Sequence, residues 1–137
     1  MTKTLHGVIA AIATAVDEKG EPDCARSTAL ARFLLDTGCD GLNVLGTTGE
    51  ANSFSLDQRR RVMSAYAAAG LPLDRMMVGT GAAAVADAVA LTKRAAELGF
   101  MCSASRTAVP ELRRTASASA KWIMKNEAQH KQSNRMV

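Results

Sequence analysis

The chain has 137 residues, 47% of them hydrophobic and 22% charged, with a mean hydropathy near zero, which describes one small domain able to bury a core. That composition excludes collagen-like, coiled-coil and wholly disordered chains, and no stretch approaches the roughly 20 apolar residues of a membrane-spanning helix. The net charge of +4 is uneven: residues 1–100 carry 10 basic against 11 acidic side chains, residues 101–137 carry 7 against 2, and all 10 glycines precede Phe100.

Two compositions therefore meet near Phe100, dividing a body (1–100) from a basic tail (101–137). At the N-terminus Lys3, an apolar stretch and the small triplet Ala13-Thr14-Ala15 have the outline of a secretory signal. There is no leucine run, and the turn Asp17-Glu18-Lys19-Gly20 follows at once, so Val8 to Val16 is read as a strand. Its apolar run is continuous rather than alternating, as in a parallel sheet covered on both faces.

Cys24 to Thr37 places Ala25, Leu30, Phe33 and Leu34 at helical spacing, with Gly38 suited to the C-terminal cap. A second short apolar strand, Gly41 to Gly46, runs into the polar loop Thr47-Thr48-Gly49-Glu50. Ser55 to Ala69 opens with a Ser-x-x-Gln capping box and predicts a second helix. Its Arg59-Arg60-Arg61 run reads as a solvated outer face rather than a nucleic-acid patch. Met76 to Val78 is a third strand leading into Gly79-Thr80-Gly81, and Ala82 to Leu98 a third helix with Val85, Val89, Leu91 and Leu98 inward and Gly99 ending it.

Strands alternating with helices predict an α/β fold of βαβ units, in which ligands bind loops at the carboxyl ends of strands. Two loops qualify, Gly46 to Glu50 and Gly79 to Gly81. The first offers two adjacent hydroxyls and backbone amides flanked by glycine, chemistry suited to a small carboxylate; a polar turn whose threonines cap the next segment is the plainer alternative. Threonine is a weak nucleophile without a neighbouring base, which leaves clamp and proton relay as roles for the pair. Cys24, Cys39 and Cys102 form no C-x-x-C pair, and His6 and His130 stand alone. Disulfide scaffolds and zinc sites lose support, and a reducing cytoplasmic compartment is expected.

Gly46-Thr47-Thr48-Gly49-Glu50 after a buried strand resembles the signature loop of the dihydrodipicolinate synthase and N-acetylneuraminate lyase family of pyruvate-dependent class I aldolases. Gly7 to Thr14, the turn Asp17 to Gly20, the Gly38 to Gly41 joint and Val78-Gly79-Thr80-Gly81-Ala82 are similar to that family in the same order, over roughly residues 5 to 100. Ala15 departs from the proline that members commonly carry there. The resemblance implies a (β/α)8 barrel, homo-oligomeric assembly, pyruvate or another 2-oxo acid as substrate, a lysine Schiff base, and neither metal nor diffusible cofactor. By motif position Thr47 is the catalytic relay hydroxyl. Thr48, Gly46 and Gly49 hold the carboxylate, Glu50 fixes the loop, and Gly79 and Gly81 floor the site.

Such a barrel takes about 250 residues, so this chain corresponds to three or four of eight units. After Phe100 the text reads Met101-Cys102-Ser103-Ala104-Ser105-Arg106-Thr107, without the tyrosine-containing loop or the lysine motif of the family. The tail resembles translation in a shifted reading frame, which the gene sequence tests, with a short helix expected between Thr115 and Gln129. The expectation is a shortened member, inactive alone for want of an electron sink, with unpaired strand edges prone to aggregation.

Two competing readings belong to other classes. Gly79-Thr80-Gly81-Ala82-Ala83-Ala84 fits G-x-G-x-x-A, a dinucleotide fingerprint, with Arg106 able to meet a 2′-phosphate; the acidic partner about twenty residues on is missing. The basic tail could bind polyanions without specificity, yet only Trp122 supplies a stacking surface there, so no specific nucleic-acid partner is expected.

Overall fold

A computed structural model describes residues 5–104, with side chains through Met101. Four strands, β1 (Ile9–Ala11), β2 (Gly41–Val44), β3 (Met76–Gly79) and β4 (Cys102–Ala104), alternate with three helices, α1 (Cys24–Asp36), α2 (Leu56–Ala68) and α3 (Val85–Leu98). All pairings are parallel and the order is β1-β2-β3-β4, the α/β architecture expected from the alternation. Strand β4 lies past the compositional boundary at Phe100, because a ladder needs backbone groups and not an apolar sequence. The proposed tail helix, Arg106 and Trp122 lie outside the described residues.

In a strand successive side chains face opposite sides, so register sorts them. Leu42 pairs with Met76 and Val44 with Val78, and all four are fully buried beneath the helices. Asn43, between Ala11 and Met77 on the opposite face, is half-buried. The core joins those strand residues to Val62, Met63 and Tyr66 of α2, Leu91 and Ala95 of α3, and Phe100.

The first strand is shorter than the apolar run Val8 to Val16. Ile12 still donates to the Asn43 carbonyl at 3.1 Å, after which the chain leaves the sheet and Val16 bridges Pro22. Val8 is 62% and Val16 43% exposed, so the run is not covered on both faces. Hydrophobicity marked the segment, but β1 is the edge of the described sheet and has a neighbour on one side only. The turn that follows is held by the Asp17 carboxylate, which accepts from the Lys19 and Glu21 amides at 2.8 and 2.9 Å.

Helix α1 is capped by Asp23, whose side chain accepts from the Arg26 amide, and Gly38 at φ +111° continues the chain beyond its C-terminus as expected. Its inward face is different from the predicted one. Ser27 and Ala31 are buried and Leu34 and Leu35 pack on the core, whereas Ala25 is exposed and Phe33 is 61% exposed. A polar residue occupies the buried stripe because Ser27 Oγ accepts from the Ala15 amide at 3.0 Å and is hydrogen-bonded to Tyr66. Burial pushes the Tyr66 hydroxyl above the usual tyrosine range, and this pairing answers its need for a partner.

The capping box of α2 is present in both halves, Gln58 N–H to Ser55 Oγ at 3.2 Å and Ser55 N–H to Gln58 Oε1 at 2.7 Å. Ser55→Ala is expected to lower the unfolding free energy by about 1 kcal/mol in urea titrations, without changing the slope of the transition. Helix α3 begins at Val85 rather than Ala82, and Val85 is 38% exposed, so the inward set starts at Ala88 with Leu91, Thr92 and Ala95. Ala84 provides no side-chain cap, which leaves Ala82 to Ala84 outside the helix. Gly99 at φ +91° ends it.

Candidate functional site

The carboxyl ends of β2 and β3 bring the two glycine-bearing loops together. At the end of β2 the backbone breaks from extended geometry at Leu45, φ +50°, and returns through Glu50, φ +49°. A left-handed non-glycine residue costs on the order of 1–3 kcal/mol and persists only where its surroundings enforce it. Leu45 is enforced by its side chain, which is 1% exposed in the core. Between these two residues the Glu50 amide donates to the Thr47 carbonyl at 3.1 Å and the Ala51 amide to the Gly46 carbonyl at 3.4 Å, closing a compact turn.

Two further contacts hold that turn against β1 and β2. Thr14 Oγ1 donates to the Gly49 carbonyl at 2.9 Å. A Cβ on Gly49 would lie 2.9 Å from the Leu45 nitrogen and 3.2 Å from the Ile12 carbonyl oxygen, so only glycine fits. Gly46 is less constrained, its nearest neighbour being the Asn43 side chain at 3.2 Å. Thr47 and Thr48 are exposed at the tip, and neither hydroxyl has a partner among the described residues. Glu50 joins the turn through its backbone, its carbonyl accepting from the Ser53 amide at 2.9 Å, and its side chain is exposed.

Gly79 supports this loop from below. A Cβ there would collide with the Leu45 carbonyl oxygen and come within 3.2 Å of Gly46 Cα, so the absence of a side chain serves the packing of one strand end on the next. The Gly79 and Gly81 carbonyls are both taken by Arg59, Nη2 to Gly79 at 2.7 Å and Nη1 to Gly81 at 2.8 Å. The packing under Leu45 accounts for the first glycine of the G-x-G-x-x-A pattern, whereas nothing lies within 4 Å of the Cβ position of the second, Gly81. Thr80 is fully buried and accepts from the Thr92 hydroxyl at 3.0 Å, tying the same segment to α3.

The arginine run is therefore not one solvated face. Arg59 is 4% exposed; Arg60 meets Asp57 at 3.4 Å and Arg61 meets Glu21 at 2.7 Å on the surface. The signal was available in the spacing: Arg59, Val62, Met63 and Tyr66 form an i, i+3, i+4, i+7 stripe, all four buried. Burial lowers the Arg59 pKa from the ordinary arginine value, opposed by the nearby Asp87, and its Nε has no partner among the described residues. A cavity of about 470 Å³ opens beside Arg59 and Asp87, between the start of α2 and residues 82–83. None of Gly46, Thr47, Thr48 and Gly49 lines it, so the threonine loop and this cavity are separate features.

Asn43 went unnoticed in the sequence. Its Oδ1 is buried without a hydrogen-bond partner among the described residues while its side chain lies against Gly46. Nothing in a Gly-Leu-Asn-Val-Leu segment distinguishes such an asparagine from one at a strand end. Tyr66 sits on the helix side of the sheet, and Lys93 is exposed on α3. Among the described residues no group of three or more His, Cys, Asp or Glu side chains gathers as a metal site, and no helix is long and apolar enough to cross a membrane.

Parallel βα repeats in sequential order β1-β2-β3-β4, with two loops gathered at the strand carboxyl ends, match a segment of a (β/α)8 barrel. Comparison with known proteins makes the lineage specific. Residues 4–116 match the model of the dihydrodipicolinate synthetase family, and the chain belongs to that family. It is 35% identical over 97 residues to 4-hydroxy-tetrahydrodipicolinate synthase from Prochlorococcus marinus (strain MIT 9211), a match spanning 71% of this chain and 32% of that protein. The fold superposes on Proteus mirabilis N-acetylneuraminate lyase with a TM-score of 0.71 at 30% identity, covering 87% of this chain and 44% of that one. For the dihydrodipicolinate synthase from Acinetobacter baumannii, a structure complexed with pyruvate, the TM-score is 0.66 at 28% identity, covering 74% and 35%. The chain thus spans about a third of the length of the curated relatives it matches.

Proposed function

We propose that the Gly46 to Glu50 loop is the 2-oxo acid carboxylate site of a pyruvate-dependent lyase or synthase. The observation that carries this reading is a hydrogen-bonded turn at the carboxyl end of β2 presenting two exposed hydroxyls, Thr47 and Thr48, that have no partner among the described residues. In it Thr48, with the amides around Gly46 and Gly49, binds the carboxylate, and Thr47 relays a proton. Pyruvate in the Acinetobacter relative supports the substrate class. Homo-oligomeric assembly and a cytoplasmic location belong to the same reading.

Forming a carbanion next to a carbonyl requires an electron sink, in this family a lysine Schiff base. The lysines among the described residues are Lys19, in the exposed turn after β1, and Lys93, on the exposed face of α3. We therefore read residues 5–104 as binding the 2-oxo acid without supplying the Schiff-base lysine that turnover needs.

Incubation with pyruvate and sodium borohydride, followed by intact-mass measurement, tests both halves together with a titration against ¹³C-labelled pyruvate. Binding without a trapped adduct is expected, and Thr48→Val should weaken binding about tenfold, roughly one hydrogen bond to a charged group. A lysine adduct overturns the inactivity, and a Thr48→Val chain that binds as well as the unaltered one overturns the carboxylate site.

A further inference from the structure

We propose that Arg59 is the positioning residue of the threonine loop, acting through Gly79; the functional part of this assignment rests on the carboxylate-site reading above. The chain of contacts is short. The guanidinium grips two carbonyls of the β3–α3 segment, Gly79 at 2.7 Å and Gly81 at 2.8 Å. Gly79 in turn is packed beneath the Leu45 carbonyl and Gly46 Cα, where the turn carrying Thr47 and Thr48 begins.

Three physical points make this more than a buried cation finding partners. A charged side chain 4% exposed is expensive to hold in the core, and two carbonyls together with the nearby Asp87 charge offset that cost. The two carbonyls are met by separate nitrogens, Nη1 and Nη2, held apart by the planar guanidinium, where lysine offers a single nitrogen. Leu45, the residue that rests on Gly79, is held at φ +50°. The Leu45 side chain stays anchored in the core, so losing the Arg59 grip on Gly79 loosens the backbone from the Leu45 carbonyl and Gly46 onward, and the loop loses its shape while the strands keep theirs. Arg59 itself touches neither Thr47 nor Thr48, so its effect on a ligand is indirect.

The test compares the unaltered 137-residue chain with Arg59→Met, Arg59→Lys and, as a surface control, Arg60→Met, by peptide-resolved hydrogen exchange and by titration with ¹³C-pyruvate. In Arg59→Met, exchange over residues 46–51 is expected to rise at least tenfold while α1 is unchanged, and the pyruvate dissociation constant to rise at least tenfold. Arg59→Lys, which keeps the charge but on a single nitrogen at the end of a flexible stem, should fall between, and Arg60→Met should match the unaltered chain. Unchanged exchange over 46–51, or a rise spread equally through α1, overturns the assignment. So does faster loop exchange with unaltered pyruvate affinity. If Arg59→Met fails to fold, the Lys variant decides by the same criteria. If the unaltered chain binds no pyruvate, the carboxylate-site reading fails separately, and the pattern of exchange alone upholds or overturns Arg59 as the support of the loop.

Discussion

Gly79→Ala is expected to destabilise the fold by about 3 kcal/mol or more, at the upper end of what overpacking a well-filled interior costs. The group its methyl would strike is the Leu45 carbonyl oxygen, with the Leu45 carbonyl carbon 2.7 Å away. Both are backbone atoms and have no rotamer to escape into. Relief would require β2 and β3 to separate at their carboxyl ends, where Val44 pairs with Val78. Urea titration followed by circular dichroism measures the loss. Gly81→Ala is the matched control: nothing lies within 4 Å of its Cβ position, and its φ is not positive. Alanine there should leave stability within about 1 kcal/mol, and can raise it by restricting the unfolded chain. Equal losses at the two positions would show that Gly79 is not the contact point between the two loops.

The second large effect is expected from Leu42→Ala, about 3 kcal/mol, within the range for a large core residue replaced by alanine. Leu42 is fully buried on the central strand β2, in register with Met76 and facing the helices. Phe33→Ser should change stability by about 0.5 kcal/mol or less, since that ring is 61% exposed on α1. The pair is informative because residue type alone ranks Phe33 as the larger core contributor. If Phe33→Ser costs as much as Leu42→Ala, the face assigned to α1 is wrong and Ser27 does not point inward.

Both predictions turn on side chains whose surroundings are remote in sequence, and that is where reading the chain residue by residue runs out. The α1 period was misjudged because Ser27 belongs to the buried stripe, and its partners, Ala15 and Tyr66, come from the loop after β1 and from α2. The arginine run was read as a surface feature for the same reason. Arg59 is buried because the Gly79 and Gly81 carbonyls lie over the start of α2. The first strand was drawn too long because hydrophobicity records a wish to be covered, whereas a ladder ends where its neighbour turns away.

Much was nonetheless legible locally. Alternation of apolar runs with helical periods, the Ser55-Gln58 box, and glycines at 38 and 99 are consequences of backbone sterics and of amides left unpaired at helix ends. They required no knowledge of distant neighbours. The ordered set of motifs from Gly7 to Ala82 likewise sufficed to indicate the family, later matched over residues 4–116.

By itself, then, the sequence determined the α/β class, the succession of elements, and the two loops at the ends of the second and third strands, because each follows from interactions within about ten residues. Contacts remote in sequence decided that Gly79 must be bare beneath Leu45, that Arg59 turns inward to clamp the loop beneath the threonines, and that Thr14, in the segment after the first strand, holds Gly49. Those are contacts between residues 20 to 35 positions apart. Their energies exist only once parallel strands have set two loops side by side.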